Sequence, residues 1–247
     1  MSTTPHFIKP CWSVPPNIVA YTTTRLGGFS QADYQGLNVG MHVGDNTDTV
    51  SKNRALLPNS SKLVWLNQVH GSEIVQLDST LQSQAPPDAD GAFSCSADYH
   101  CAVMTADCLP ILLCDAKGTQ VAAVHAGWKG LELRILENAI TRFRAPLREI
   151  SAWIGPAICK RCYEVDNTLM TKFDQYPSAI TPSENANKYL LDLPHIAKLQ
   201  LNEIGVSNVT LSRLCTYCDN DTFYSHRYAT HKGLTPTGRI VSVIGLR

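Results

Sequence analysis

Short apolar runs rich in β-branched residues and bounded by turn formers predict strands at 18–23, 62–66, 73–77, 102–105, 111–114, 121–124, 150–154, 189–193, 209–214 and 239–245. The period changes after Gly130, where Leu133, Leu136, Ile140 and Phe143 recur three or four apart and predict a helix. A second helix is expected over 193–204. Asp192 or Leu193 precedes it, Pro194 fits a first turn whose N–H groups have no partner, and Gly205 can take a left-handed cap. Further helical segments are expected at 167–173 and 47–57. The pattern reads as α/β or α+β with strands in the majority. Its one linker-like stretch, residues 79–88 (STLQSQAPPD), is expected to be an exposed loop. That loop does not divide two halves of different composition, so residues 1–247 are expected to form a single domain.

Composition narrows the function classes. Lys plus Arg equals Asp plus Glu at 21 each, which leaves no bulk charge to hold nucleic acid or an anionic membrane. Small molecules are the expected partners. The opening MSTTPHFIKPCW lacks a basic and then apolar leader pattern, and no run of about 18 apolar residues occurs, so a cytoplasmic location is expected. Nine cysteines is an odd count without an export signal, which favours reduced thiols, some packed in the core and some free to bind metal.

Three segments carry candidate chemistry. In AVMTADCLPILLCD (102–115), two apolar runs are interrupted by Asp107 and Cys108, with Pro110 following; such a break inside a buried strand is expected where side chains face a site. In VAAVHAGWKG (121–130), a buried strand ends at His125, and the glycine-containing turn leads into a helix, with Lys129 available to meet an anion. In WLNQVHGS (65–72), His70 precedes Gly71; alone it says little. Together two imidazoles and a thiolate suit zinc, and three protein ligands leave the open position of a catalytic site, where zinc lowers the pKa of water to near 7. The wide spacing of His70, Cys108 and His125 fits ligands gathered from separate strands rather than a zinc finger.

Other features compete. Cys159/Cys162 and Cys215/Cys218 are two Cys-x-x-Cys pairs, but the chain between them is far longer than the usual roughly 15 to 20 residues of a four-thiolate zinc site, which argues against one shared site. Neither pair has the strand-to-helix setting of a thioredoxin-like redox motif. The glycine-rich segments TTTRLGGFS (22–30) and GLNVGMHVGDN (36–46) offer Arg25, Asn38 and His42 to hydroxyls or phosphate, or are simply two surface turns.

The motifs NQVHG (67–71), DADG (88–91), TADCLPILL (105–113), HAGWKG (125–130) and IGPAICKRCYEV (154–165), in this order, resemble the YfiH-like family. Its members were once called laccase-domain or multicopper polyphenol oxidase proteins and are now described as purine nucleoside phosphorylases with adenosine deaminase activity. The resemblance implies a single α/β domain of layered β-sheets flanked by helices, related to deamidating toxins that use Cys and His. It also implies metal ligation by His70, Cys108 and His125, with Arg25 and Asn38 at the nucleoside or phosphate site and Asp107 as an orienting or acid/base group. The stretch 215–239 diverges from the family pattern, with Tyr228 following Arg227 where an Arg pair is usual.

The implied activity is zinc-dependent phosphorolysis of adenosine, inosine or methylthioadenosine, with adenosine deamination, by a monomer or homodimer. In that reading Cys108, Asp107 and Asn38 are the catalytic candidates, and Arg25 and Lys129 the substrate-binding ones. One alternative is a thiol amidase acting on peptidoglycan precursors, with Cys108 as nucleophile and His125 as base. Another is a copper polyphenol oxidase; copper would bind such ligands, but three are too few for a multicopper cluster. A non-enzymatic zinc-stabilised scaffold would need a fourth protein ligand closing the site.

Overall fold

The computed structural model describes residues 3–78, 85–234 and 236–247, so residues 79–84 of the expected loop lie outside the described residues. A first sheet runs in the order β1 (Phe7–Ile8), β2 (Ile18–Thr23), β14 (Ile240–Leu246), β6 (His100–Thr105) and β3 (Leu63–Val64). A second follows the order β13 (Asn208–Leu211), β9 (Ile150–Ile154), β7 (Leu109–Asp115), β8 (Val121–Ala126), β5 (Gly91–Ser94) and β4 (Ile74–Gln76). A small antiparallel sheet is made of β10 (Glu164–Asp166), β12 (Lys188–Leu191) and β11 (Ile180–Pro182). The helices are α1 (Thr47–Ala55), α2 (Trp128–Glu132), α3 (Ile135–Ile140), α4 (Asn167–Met170), α5 (Leu193–Ile204) and α6 (His226–Lys232).

The two large sheets stack, and the period-2 alternation of their strands sorts the core into layers. Along β7, Leu112 and Cys114 join Val121, Ala123, Trp153, Val103 and Ile244 between the sheets. Ile111 and Leu113 point the other way, onto Leu131, Ile135 and Leu136 and onto Ile196 and Leu201 of α5. The outer face of the first sheet packs Tyr21, Met104 and Val243 against Leu37, Val39 and Leu57. Strands covered on both faces explain the near-continuous apolar runs of β7 and β8. Each fully buried Leu or Ile there contributes roughly 1.5–3 kcal/mol.

Strand β9 and helix α5 match their expected bounds. The Asp192 side chain accepts from His195 N, and Gly205 closes α5 at φ 104°. The helix expected after Gly130 is instead two short ones, because Arg134 takes a left-handed conformation (φ 57°) between α2 and α3.

The sheet pairings place three sheet-to-sheet crossovers on one rim. The chain leaves the first sheet at the C-terminal ends of β3 and β6 and enters the second at the N-terminal ends of β4 and β7; it returns from β13 to β14. The pairings Ile240↔Thr105, Leu109↔Ala126, Ile111↔Ile154 and Leu211↔Ile154 bring the ends of β6, β14, β7, β8, β9 and β13 together, and Ile74↔Gly91↔Val124 adds the start of β4. β3 pairs with the start of β6 (Val64↔Cys101), and the chain after it reaches the same rim where the Gln68 side chain donates to Met104 O and accepts from Met104 N. The polar break at residues 106–108 is therefore the point where the chain passes between sheets.

Candidate active site

His70 lies on the β3–β4 crossover, Asp107 and Cys108 on the β6–β7 crossover, and His125 near the end of β8, so the shared rim collects them. The ligand atoms of His70, Cys108 and His125 all lie within 4.8 Å of one another, a group that could hold a metal ion. The two imidazoles meet edge to face with centroids 4.8 Å apart. Gly127 leaves room for the thiol beside it, because a Cβ there would sit 2.9 Å from Cys108 Sγ and the sulfur would have to shift.

Asp90, just before β5, organises this group. Its Oδ1 accepts from His125 Nδ1 at 2.8 Å and from the His70 backbone N–H at 3.0 Å, and its Oδ2 accepts from the N–H groups of Gly71 (2.6 Å) and Val69 (3.2 Å). These bonds hold His70 in its left-handed conformation, φ 59°. Burial works against the charge on Asp90, but the His125 hydrogen bond and those from Gly71 and His70 hold its carboxyl below the ordinary value. An ionised Asp90 fixes the proton on His125 Nδ1 and leaves Nε2 to face the site. The DADG motif contains Asp90, yet its role is invisible in sequence because its partners come from elsewhere in the chain.

Cys108 and His125 shift in opposite directions. Burial pushes the Cys108 thiol up, but the charge and hydrogen bond of His125 and the hydrogen bond of His70 outweigh it and bring it down to about 6. Burial also opposes charge on His125, but the Cys108 thiolate and Asp90 raise it to about 9. Without metal, a thiolate–imidazolium pair is favoured at neutral pH.

Asp107 sits at φ 96°, a conformation that L residues adopt at a cost. Its Oδ1 accepts from Thr216 Oγ1 and its Oδ2 from the Arg227 N–H, both at 2.6 Å, while its carbonyl accepts from Ile158 N at 3.0 Å. Asp107, Cys108, His70 and His125 line a cavity of about 420 Å³, together with His42, Gln68, Trp128, Tyr163, Arg227 and Arg239. Arg227 lies over the Tyr163 ring at 5.0 Å.

The other expected site residues fall elsewhere. Arg25 lines a separate cavity with Gly27 and Gly28; it donates to Asn220 O at 2.9 Å and stacks on Tyr224. Asn38 is fully buried, and its Oδ1 accepts from the N–H groups of Arg239 and Gly40, both at 2.9 Å, so it holds the Arg239 backbone rather than lining the cavity. Lys129 is exposed on α2, its Nζ 5.6 Å from the Trp128 ring centroid, and does not line the cavity. Tyr163, Trp128 and His226 are lining residues that no motif argument singles out. The two Cys-x-x-Cys pairs, which chain spacing sets apart, meet in space: the Sγ atoms of Cys159, Cys162, Cys215 and Cys218 all lie within 4.8 Å of one another.

Among the described residues no helix is long and apolar enough to cross a membrane. Residues 19–247 match the family described as multi-copper polyphenol oxidoreductase laccase. The chain is 40% identical over 245 residues to the Escherichia coli (strain K12) protein named purine nucleoside phosphorylase YfiH, covering 97% of this chain and 98% of that one. It is 37% identical over 247 residues to purine nucleoside phosphorylase PA4543 of Pseudomonas aeruginosa, covering 98% of each. Among solved structures, Neisseria meningitidis protein NMB0706 superposes with a TM-score of 0.90 at 39% identity, over 97% of this chain and 98% of that one. YlmD from Geobacillus stearothermophilus superposes at 0.86 with 31% identity, over 94% and 93%. With sequence and fold both matched almost end to end, the chain belongs to the YfiH family, whose relatives named here are called purine nucleoside phosphorylases.

Proposed function

We propose that this protein is a zinc-dependent purine nucleoside phosphorylase that also deaminates adenosine, using the cavity at the sheet-crossover rim. The observation that carries the reading is the convergence of His70, Cys108 and His125, with Asp90 orienting His125, in a cavity that also holds two guanidinium groups. Two imidazole nitrogens and a low-pKa thiolate are zinc donors, and no fourth His, Cys, Asp or Glu joins them among the described residues, so the set matches an open site. Zinc bound there supplies Lewis-acid charge.

The chain's own residues supply the rest. Trp128 and Tyr163 offer flat faces to a purine, and Arg227 and Arg239 offer planar, permanently charged donors suited to phosphate. Asp107, held on both oxygens, keeps a further lone pair on each with which to accept a proton or orient a substrate N–H. In phosphorolysis these groups align phosphate with the sugar carbon and stabilise the departing purine; in deamination Asp107 carries the proton to the leaving ammonia. We take residues 1–247 as one domain, because β14 pairs with both β2 and β6.

One observation favours a second reading. Asp90, His125 and Cys108 form an orienter–base–nucleophile series of the kind thiol amidases use, and it needs no metal.

The test is product analysis of zinc-loaded protein with adenosine, with and without phosphate, beside a chelated control. Adenine and ribose 1-phosphate appearing only with phosphate, inosine appearing without it, and loss of both on chelation are expected. No nucleoside product under any condition would overturn the reading and bring the thiol amidase forward.

A further inference from the structure

We infer that Cys159, Cys162, Cys215 and Cys218 form a second metal centre, a closed four-thiolate zinc site that braces the active-site rim. Each pair occupies a tight turn, one leading into the small sheet and the other following β13. The turns are joined by the bridge between Ala157 and Cys215, with Ala157 N donating to Leu214 O (3.2 Å) and Thr216 N donating to Ala157 O (3.1 Å). That backbone ladder brings the two pairs together despite the long chain between them.

The sulfur geometry fits one small tetrahedral ion. Zn–S bonds of about 2.3 Å place the corners of a tetrahedron roughly 3.8 Å apart. Here Cys159 Sγ lies 3.6 Å from Cys162 Sγ, Cys162 Sγ lies 3.3 Å from Cys218 Sγ, and all four thiols are free. Cys215 Sγ accepts backbone N–H groups from Cys159 at 3.3 Å and Cys218 at 3.4 Å, contacts that stabilise negative charge on a ligating sulfur. Four sulfurs leave no open position, so the site is structural, unlike the His70–Cys108–His125 set.

Its position gives it a second role. Thr216, between Cys215 and Cys218, donates to Asp107 Oδ1, and Ile158, next to Cys159, donates from its backbone to the Asp107 carbonyl. An ion shared by the two turns fixes both supports of a residue held in a left-handed conformation. Thr216 and the four cysteines are thus positioning residues, not catalytic ones.

The test measures metal, not turnover, in protein produced with zinc. The His70→Ala/His125→Ala variant lacks the first site and keeps all four thiols. It is expected to retain one zinc per chain, with X-ray absorption showing sulfur neighbours alone at about 2.3 Å. Adding Cys162→Ser and Cys218→Ser should abolish that zinc. Absence of zinc from the two-histidine variant, iron in its place, nitrogen or oxygen in the metal's shell, or intact-mass evidence of disulfides among the four cysteines would overturn the assignment. Because the two-histidine variant is read by its metal alone, it remains informative whether or not nucleosides are the substrates and whether or not the Cys→Ser variants fold.

Discussion

Asp90 Oδ1 lies 2.8 Å from His125 Nδ1 and also accepts the backbone N–H of His70, so one buried oxygen orients one imidazole and anchors the loop that presents the other. Asp90→Asn keeps the shape but loses the charge that fixes the His125 proton. Zinc affinity and turnover are each expected to fall about 10- to 100-fold. Calorimetric zinc titration and steady-state kinetics would check this, and unchanged values would remove Asp90 from the site's design.

In metal-stripped protein, Cys108 should react with iodoacetamide as a thiolate. Its pKa is depressed, so the thiolate persists above about 6 and is lost as pH falls through that value. The alkylation rate should therefore level off well below the ordinary thiol range near about 8.5. Cys114, which burial and Asp115 push up to about 12, and Cys101, which burial raises further, should remain unlabelled in the folded protein. Peptide mass mapping across pH would read all three, and added zinc should protect Cys108.

Gly127→Ala would place a methyl group 2.9 Å from Cys108 Sγ, so the sulfur must shift. The backbone at Gly127 is ordinary extended chain, φ −78°, which makes the effect one of position rather than backbone strain. Activity is expected to drop about 10- to 100-fold with the far-ultraviolet circular dichroism spectrum unchanged.

Arg239→Met separates the two proposed reactions. Loss of a charged donor should raise KM for phosphate by about 10- to 100-fold, the equivalent of roughly 1.5–3 kcal/mol for a charge-assisted hydrogen bond. Phosphate-independent deamination should change much less. Equal losses in both would mean that Arg239 shapes the cavity rather than binding phosphate.

Leu112→Ala opens a hole between the stacked sheets, where Leu112 is fully buried beside Trp153. A loss of about 2–5 kcal/mol is expected in equilibrium denaturation.

What could be read in the sequence follows from which forces are local. β2, β9 and α5 carry their own signals: β-branched runs, or an Asp192 cap with Pro194 and Gly205 at the ends. β5 escapes because Gly91 and Ala92 are small for packing reasons; a Cβ at Gly91 would meet Ile74 Cδ1 at 2.3 Å. Cys108 and His125 stand out as polar residues at the break or end of apolar runs, whereas His70, which follows the polar pair Asn67 and Gln68, joins them only through the NQVHG motif. Arg239 and Tyr163 do not stand out, because only the crossovers and the small sheet bring them to the rim. The Cys-x-x-Cys pairs show the limit of spacing arguments: their proximity is set by the Ala157–Cys215 bridge, and no count of intervening residues contains it.

The placement of β14 between β2 and β6 bears on how the molecule is made. A strand synthesised after β1 to β13 occupies the middle of the first sheet, so during translation β2 and β6 wait with open edges for a partner that has not yet emerged. Arg239, immediately before that strand, reaches the cavity at the same moment. Nascent chains should therefore acquire a competent pocket only once β14 has emerged, and closing such long-range pairings makes this a comparatively slow folder that depends on protection of those edges until then.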